Sequence, residues 1–157
     1  LRWIGEEEAR ALAQKSRHVQ QVPISVHIRP SRILLADDGI SNRQLVSLIL
    51  RRYGLEVCEA ENGQQAFQAA VNEPFDLILM DIRLPYEDGY GALKKIRTAE
   101  HLKSIPIVAV TAEASEDQMR KARESGFDGF LGKPLDPDRF PDQIRRILNG
   151  EKVWEYT

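Results

Sequence analysis

Phe75-Asp-Leu-Ile-Leu-Met-Asp-Ile-Arg-Leu-Pro-Tyr-Glu-Asp-Gly89 decides how the rest of the chain is read. Leu77 to Met80 is a short, unbroken apolar run. It suits a strand covered on both faces, as in a parallel sheet held between layers of helices. The run ends on Asp81 and gives way to a loop carrying Pro85 and Gly89. In open α/β sheets ligand chemistry collects beyond the carboxyl ends of the strands, so Asp81 is a candidate for chemistry. The plainer alternative is a strand-end aspartate that only bonds loop amides.

Outward from this run, strands and helices alternate from Ser31 onward. Further strands are expected at Ile33–Ala36, Leu55–Glu59, Pro106–Val110 and Phe127–Leu131. Between them lie helical patterns. Ser41 is read as the cap of a helix to about Tyr53, with Leu45, Leu48, Ile49 and Arg52 at helical spacing and Gly54 ending it. Asn62-Gly63 opens a helix with Ala66, Phe67, Ala69 and Ala70. Another carries Tyr90, Leu93 and Ile96, with Lys94, Lys95 and Arg97 outside. Ser115 caps a helix over Met119 and Ala122 that stops at Gly126, and Phe140, Ile144, Ile147 and Leu148 form the last apolar stripe. Five strands alternating with five helices argue for an α/β fold, a parallel sheet covered on both faces. The flavodoxin-like, doubly wound order 2-1-3-4-5 leads, although periodicity alone leaves other doubly wound orders open.

The 157 residues have room for one ordinary domain and an extension, and the apolar (42%) and charged (29%) shares are those of a globular chain. A net charge of -2 gives no reason to expect a nucleic-acid surface. Cys58 stands alone in an apolar phrase and reads as a buried, reduced thiol; His18, His27 and His101 have no ligand spacing. No apolar run approaches the roughly 18 residues of a membrane span, and no secretory leader is visible. A cytoplasmic location is expected. The start on Leu1 suggests a piece of something longer. Residues 1–30 carry five basic and three acidic residues, a balance of +2 against -4 for 31–157. Helix formers over 6–17 suggest a helical linker or interaction arm, stopped by Pro23. The expected division is an arm at 1–30, a domain at 31–150 and a short tail at 151–157 that holds Trp154 and Tyr156.

Four polar features stand where strands end: Asp37-Asp38, Asp81, Thr111 and Lys133. A parallel sheet would gather them on one edge. Three carboxylates in one cleft repel each other and need a cation or protons. All-oxygen ligands suit a hard ion such as Mg²⁺. Lys133 offers a point charge for a carboxylate or phosphoryl oxygen, and Thr111 a hydroxyl. These are the parts phosphoryl transfer needs, where positioning and charge neutralisation dominate. Singly, each has a structural reading: a capping turn, a cap, a solvated lysine.

Leu34-Leu-Ala-Asp-Asp38, Leu79-Met-Asp-Ile-Arg-Leu-Pro85, Val108-Ala-Val-Thr-Ala112 and Gly132-Lys-Pro134 follow one another at spacings that resemble the response-regulator receiver domain of two-component signalling, over about Arg32 to Leu148. The resemblance implies that Asp81 accepts a phosphoryl group from a phosphohistidine on a histidine kinase or phosphotransfer protein. It implies Mg²⁺, or Mn²⁺ in its place, bound by Asp38, Asp81 and the Ile82 main-chain carbonyl, and by Asp37 through water. Thr111 and Lys133 would contact the phosphoryl oxygens, and Lys133–Pro134 would be a cis peptide. No dedicated enzyme is implied, only self-catalysed transfer to Asp81 and loss from it.

The family's aromatic switch residue maps onto Phe130, which as Phe has no hydroxyl and would change state by packing alone; it also reads simply as core. Gly39 stands where many members have a polar residue. Arg83 and Glu113 flank the phosphoryl position, with the expectation that they tune access of water and signal lifetime. The expected switch draws Thr111 toward the phosphoryl group, lets Phe130 fill the space and alters the face of the fourth helix, fifth strand and fifth helix. A homodimer through that face or through the arm is a further expectation. Two rivals remain: a phosphohydrolase with an aspartate nucleophile, disfavoured because Arg83 stands where the acid/base aspartate belongs, and a binding module that is never phosphorylated. A free-standing shuttle and a receiver segment of a hybrid kinase are both open.

Overall fold

Every apolar run expected as a strand is one in the computed structural model of the chain, which describes residues 2–3 and 26–156. The strands are β1 (Arg2–Trp3), β2 (Arg32–Ala36), β3 (Glu56–Ala60), β4 (Leu77–Asp81), β5 (Ile107–Thr111), β6 (Gly129–Gly132) and β7 (Trp154–Glu155). The helices are α1 (Ile40–Arg52), α2 (Gly63–Asn72), α3 (Gly89–Arg97), α4 (Glu116–Ser125) and α5 (Phe140–Leu148). The central strands run parallel in the order β3-β2-β4-β5-β6, which is the 2-1-3-4-5 arrangement expected for a doubly wound fold.

Period-two alternation sorts the core into two layers. Leu34, Ile78, Ala109 and Phe130 point to the layer under α2, α3 and α4, while Ile33, Leu35, Leu77, Leu79, Val108, Val110 and Leu131 point to that under α1 and α5. All five residues of β4 are buried, and each large apolar side chain so buried is worth about 1.5–3 kcal/mol. Asn62 and Ser115 cap α2 and α4 by accepting the Gln65 and Gln118 amides, and Gly126 closes α4 in the left-handed region. Cys58 is free and buried, and burial pushes its thiol up to about 11.

Several expectations are corrected. The sheet has seven strands among the described residues, not five. β1 joins one edge antiparallel to β3, with Arg2 opposite Glu59 and Trp3 opposite Cys58. β7, from the short tail, joins the other edge parallel to β6. Strands of two residues carry too little pattern to be read from sequence. Ser41 does not cap α1: the helix begins at Ile40 with Gly39 at the cap and no side-chain bond there. Leu45 is exposed, and the buried stripe runs instead through Val46, Leu48, Ile49 and Leu50. Arg97 is not simply outside; it donates to the Leu102 and Ile105 carbonyls and pairs with Asp128. The helix expected over 6–17 lies outside the described residues.

Candidate functional site

Strand register brings the polar residues to one edge. Ala36 pairs with Met80, Asp81 with Val110, and Thr111 with Gly132. The residues at or just after these strand ends are Asp37, Asp81, Thr111 and Lys133. Lys133 joins two of them directly: its Nζ donates to Asp37 Oδ2 and to Asp81 Oδ2, both at 2.7 Å. Asp37 and Asp81 are 3% and 6% exposed, whereas Asp38 is open to solvent. Carboxylate oxygens of Asp37, Asp38 and Asp81 all lie within 4.8 Å of one another.

The electrostatics follow from burial. Desolvation pushes the Asp81 carboxyl above the ordinary carboxylate range, outweighing the Lys133 hydrogen bond and charge that favour its ionised form. For Lys133 the balance runs the other way. Burial alone would lower its ammonium, but the hydrogen bonds to Asp37 and Asp81 hold it above its usual value. One ammonium facing three carboxylates leaves two negative charges in excess. An all-oxygen cluster with that excess fits a hard divalent cation, so the donor set matches Mg²⁺.

Around this centre the loops are tied down. Asp81 Oδ1 accepts the Arg83 amide at 3.0 Å, and the Ile82 carbonyl accepts the Gly89 amide at 2.7 Å. Thr111 is buried at the edge; its Oγ1 accepts the Glu113 amide at 3.1 Å and its carbonyl the Lys133 amide at 2.9 Å. The Lys133–Pro134 peptide is cis. Arg83 and Glu113 form an exposed ion pair, and both line an open cavity of about 550 Å³ together with Asp38. Phe130 is wholly buried in the α2–α4 layer. Gly39 is used as backbone: its amide donates to Asp37 Oδ1 at 2.8 Å.

Sequence reasoning missed the support beneath the acidic pair. Asn42 donates to Asp37 Oδ2. Arg43, almost wholly buried, donates to the Asp37 carbonyl at 2.7 Å and pairs with Glu59 at 3.0 Å. Glu59 also accepts from the buried Ser47 hydroxyl at 3.1 Å. The sequence holds only a hint: Arg43 and Ser47 are polar residues one helical turn apart on the buried face of α1, but nothing in the pattern names Glu59 as their partner.

A strand-end carboxylate held beside a lysine, a hydroxyl and an acidic ion cradle is suited to taking up a phosphoryl group. The family model for the response regulator receiver domain matches residues 33–145. This chain belongs to the response regulator receiver domain family. Among curated relatives, the receiver is 41% identical over 110 residues to the sensor protein GacS of Pseudomonas syringae, covering 68% of this chain and 12% of that protein. It is 32% identical over 146 residues to the histidine-protein kinase BarA of Escherichia coli, covering 91% and 16%. The receiver thus spans under a fifth of either relative's length. Among solved structures, the receiver domain of sensor histidine kinase PA1611 from Pseudomonas aeruginosa, which has a magnesium ion in its active-site cleft, superposes with a TM-score of 0.72 at 32% identity, covering 77% of this chain and 99% of that one. The chemotaxis response regulator CheY4 of Vibrio cholerae gives 0.70 at 31%, covering 78% and 99%. Among the described residues no helix is long and apolar enough to cross a membrane.

Proposed function

We propose that this receiver is a phosphoryl-accepting switch in which Asp81 is the acceptor. The observation that carries the reading is the bridge from Lys133 to Asp37 and Asp81 inside the acidic cluster. A carboxylate oxygen of Asp81 attacks the phosphorus of a phosphohistidine. The O–P bond forms as the P–N bond breaks, and the imidazole nitrogen keeps the electron pair and takes a proton. Lys133 holds the Asp81 carboxyl in place before transfer and meets the added charge after it. Thr111, one strand away, offers its hydroxyl to the phosphoryl oxygens.

Asp37, Asp38 and Asp81 would hold Mg²⁺, or Mn²⁺, which has similar oxygen preferences. When bound, the ion supplies charge neutralisation at the transferring group. The Ile82 carbonyl, expected from the sequence as a further ligand, accepts the Gly89 amide and keeps a second lone pair that could serve the ion. The Arg83–Glu113 pair at the mouth is assigned the control of water access and hence of phosphoryl lifetime. Phe130 would be the packing element of the switch, in its inward state here. Moving such a switch from mostly off to mostly on takes about 5.5 kcal/mol of differential binding.

The donor would be a cytoplasmic histidine kinase or histidine phosphotransfer protein. The kinase relatives favour a receiver segment of a hybrid kinase, with 1–30 as a connecting arm and a folded unit that extends past residue 150 to take in β7. Because β7 covers the edge of β6, a homodimer through α4, β6 and α5 would rest on helix surfaces. No dedicated enzyme activity beyond transfer to Asp81 and its hydrolysis is assigned.

The test is labelling by a small acyl phosphate in the presence of Mg²⁺. The parent chain should take up one phosphoryl group and Asp81→Asn none; equal labelling of the variant would refute the assignment.

A further inference from the structure

An uncovered edge strand offers a row of unpaired main-chain groups, and β6 ends the five-stranded core of this sheet. Here it is covered. The Phe130 amide donates to the Val153 carbonyl at 2.8 Å, and Trp154 and Glu155 run in parallel register with Phe130 and Leu131. Side chains fix the segment on both flanks. Val153 is buried in the layer under α5, while Trp154 and Tyr156 pack against the opposite layer. The Arg123 guanidinium of α4 lies over the Trp154 ring, 4.5 Å from its centroid. Glu155 accepts from Gln143 at 2.8 Å, Arg146 at 2.9 Å and Arg139 at 3.2 Å.

The strand beneath is shaped for this occupant. β6 has glycine at both ends, and neither has a positive φ. Turn geometry therefore does not explain them. Close approach does: a Cβ on Gly129 would stand 2.7 Å from the Val153 carbonyl oxygen, and one on Gly132 would stand 2.7 Å from that of Tyr156 and 2.8 Å from Ala114 Cβ. At both positions the nearest obstacle to a methyl group is the tail backbone, joined at Gly132 by Ala114 and at Gly129 by Val108.

This contact lies one residue from the phosphoryl site. Gly132 pairs with Thr111 and precedes Lys133, and a cavity of about 540 Å³ beside Lys133 has Glu155 and Tyr156 in its wall. Phe130, at the other end of β6, holds Val153 through its amide. We propose that the edge of β6 between α4 and α5 is a strand-accepting surface, that its occupant is the chain's own aromatic–acidic segment Val153–Tyr156, and that phosphorylation of Asp81 loosens that segment. The inference rests on the phosphoacceptor reading above. Drawing Thr111 and Lys133 toward a phosphoryl group pulls the Gly132 end of β6 toward the site, out of a fit with less than a methyl group of clearance. By linkage, whatever factor the phosphoryl group takes from tail docking, the docked tail takes from the phosphorylated state.

Hydrogen exchange on the full chain tests it, in Mg²⁺ with and without beryllofluoride, an acyl-phosphate mimic whose binding is followed separately by fluorine NMR. Exchange at Phe130 and over 153–156 should rise at least about fivefold when the mimic binds, with β4 unchanged, which is the low end of ordinary coupling between sites. Glu155→Lys, which places a cation before Gln143, Arg146 and Arg139, should free the tail without the mimic and tighten mimic binding by a similar factor. Bound mimic with unchanged tail exchange, or equal mimic affinity in Glu155→Lys and parent, overturns the linkage while leaving the Asp81 reading intact. Absence of any bound mimic overturns both.

Discussion

Arg43 shows how far the site extends beyond the residues that face the cleft. Its guanidinium links the Asp37 carbonyl to Glu59, under the acidic pair. Breaking a buried ion pair leaves an uncompensated charge and costs about 3–5 kcal/mol. Arg43→Met should therefore destabilise the fold by about that much in urea denaturation, and adding Glu59→Gln should recover much of the loss. If the single and double variants were equally unstable, Glu59 would not be the group left stranded. At this scale the residues facing the cleft were legible: Asp37, Asp38, Asp81, Thr111 and Lys133 sit at strand ends, where position follows from the fold class. Arg43, Asn42 and Glu59 were not, because their roles depend on which helix face meets which strand, and a single polar residue in a helix reads equally well as solvated.

At the scale of elements, apolar periodicity carried most of the information. α5 buries Phe140, Ile144, Ile147 and Leu148, the four residues of its expected stripe, and the caps at Asn62 and Ser115 followed from residue type. β7 was illegible, since two residues show no alternation; what holds it is side-chain chemistry from both flanks, Trp154 under Arg123 of α4 and Glu155 against Gln143 and Arg146 of α5. The hydrogen bond from Gln143 first, then Arg146 and Arg139, hold the Glu155 carboxyl below its usual value, against the opposing effect of burial. A carboxyl whose folded value is depressed lends stability that is in place above its unfolded value, near 4.5, and is lost as pH falls through the folded one. Tail docking should thus weaken on acidification below about pH 4.5. Hydrogen exchange at Phe130, corrected for intrinsic rates, should rise there in the parent and stay flat in Glu155→Gln. A parent profile as flat as the variant's would show that Glu155 does not govern docking.

For the whole molecule, a parallel sheet makes one chemical site from residues far apart in sequence. Lys133 and Asp37 are 96 positions apart and meet at 2.7 Å. The strand order was legible only in outline, because the doubly wound class admits several orders and no local pattern distinguishes them; the observed register settles which tips meet. The same convergence makes a global claim about selectivity: of 24 Asp and Glu residues, one should react. Hydride reduction converts an acyl phosphate but spares a free carboxylate, so trapping the phosphorylated chain and mapping every peptide by mass reads all of them together. Reduction confined to Asp81, and absent when Mg²⁺ is removed, is the predicted result. Reduction spread over several carboxylates, or fixed on any residue but Asp81, would contradict the account.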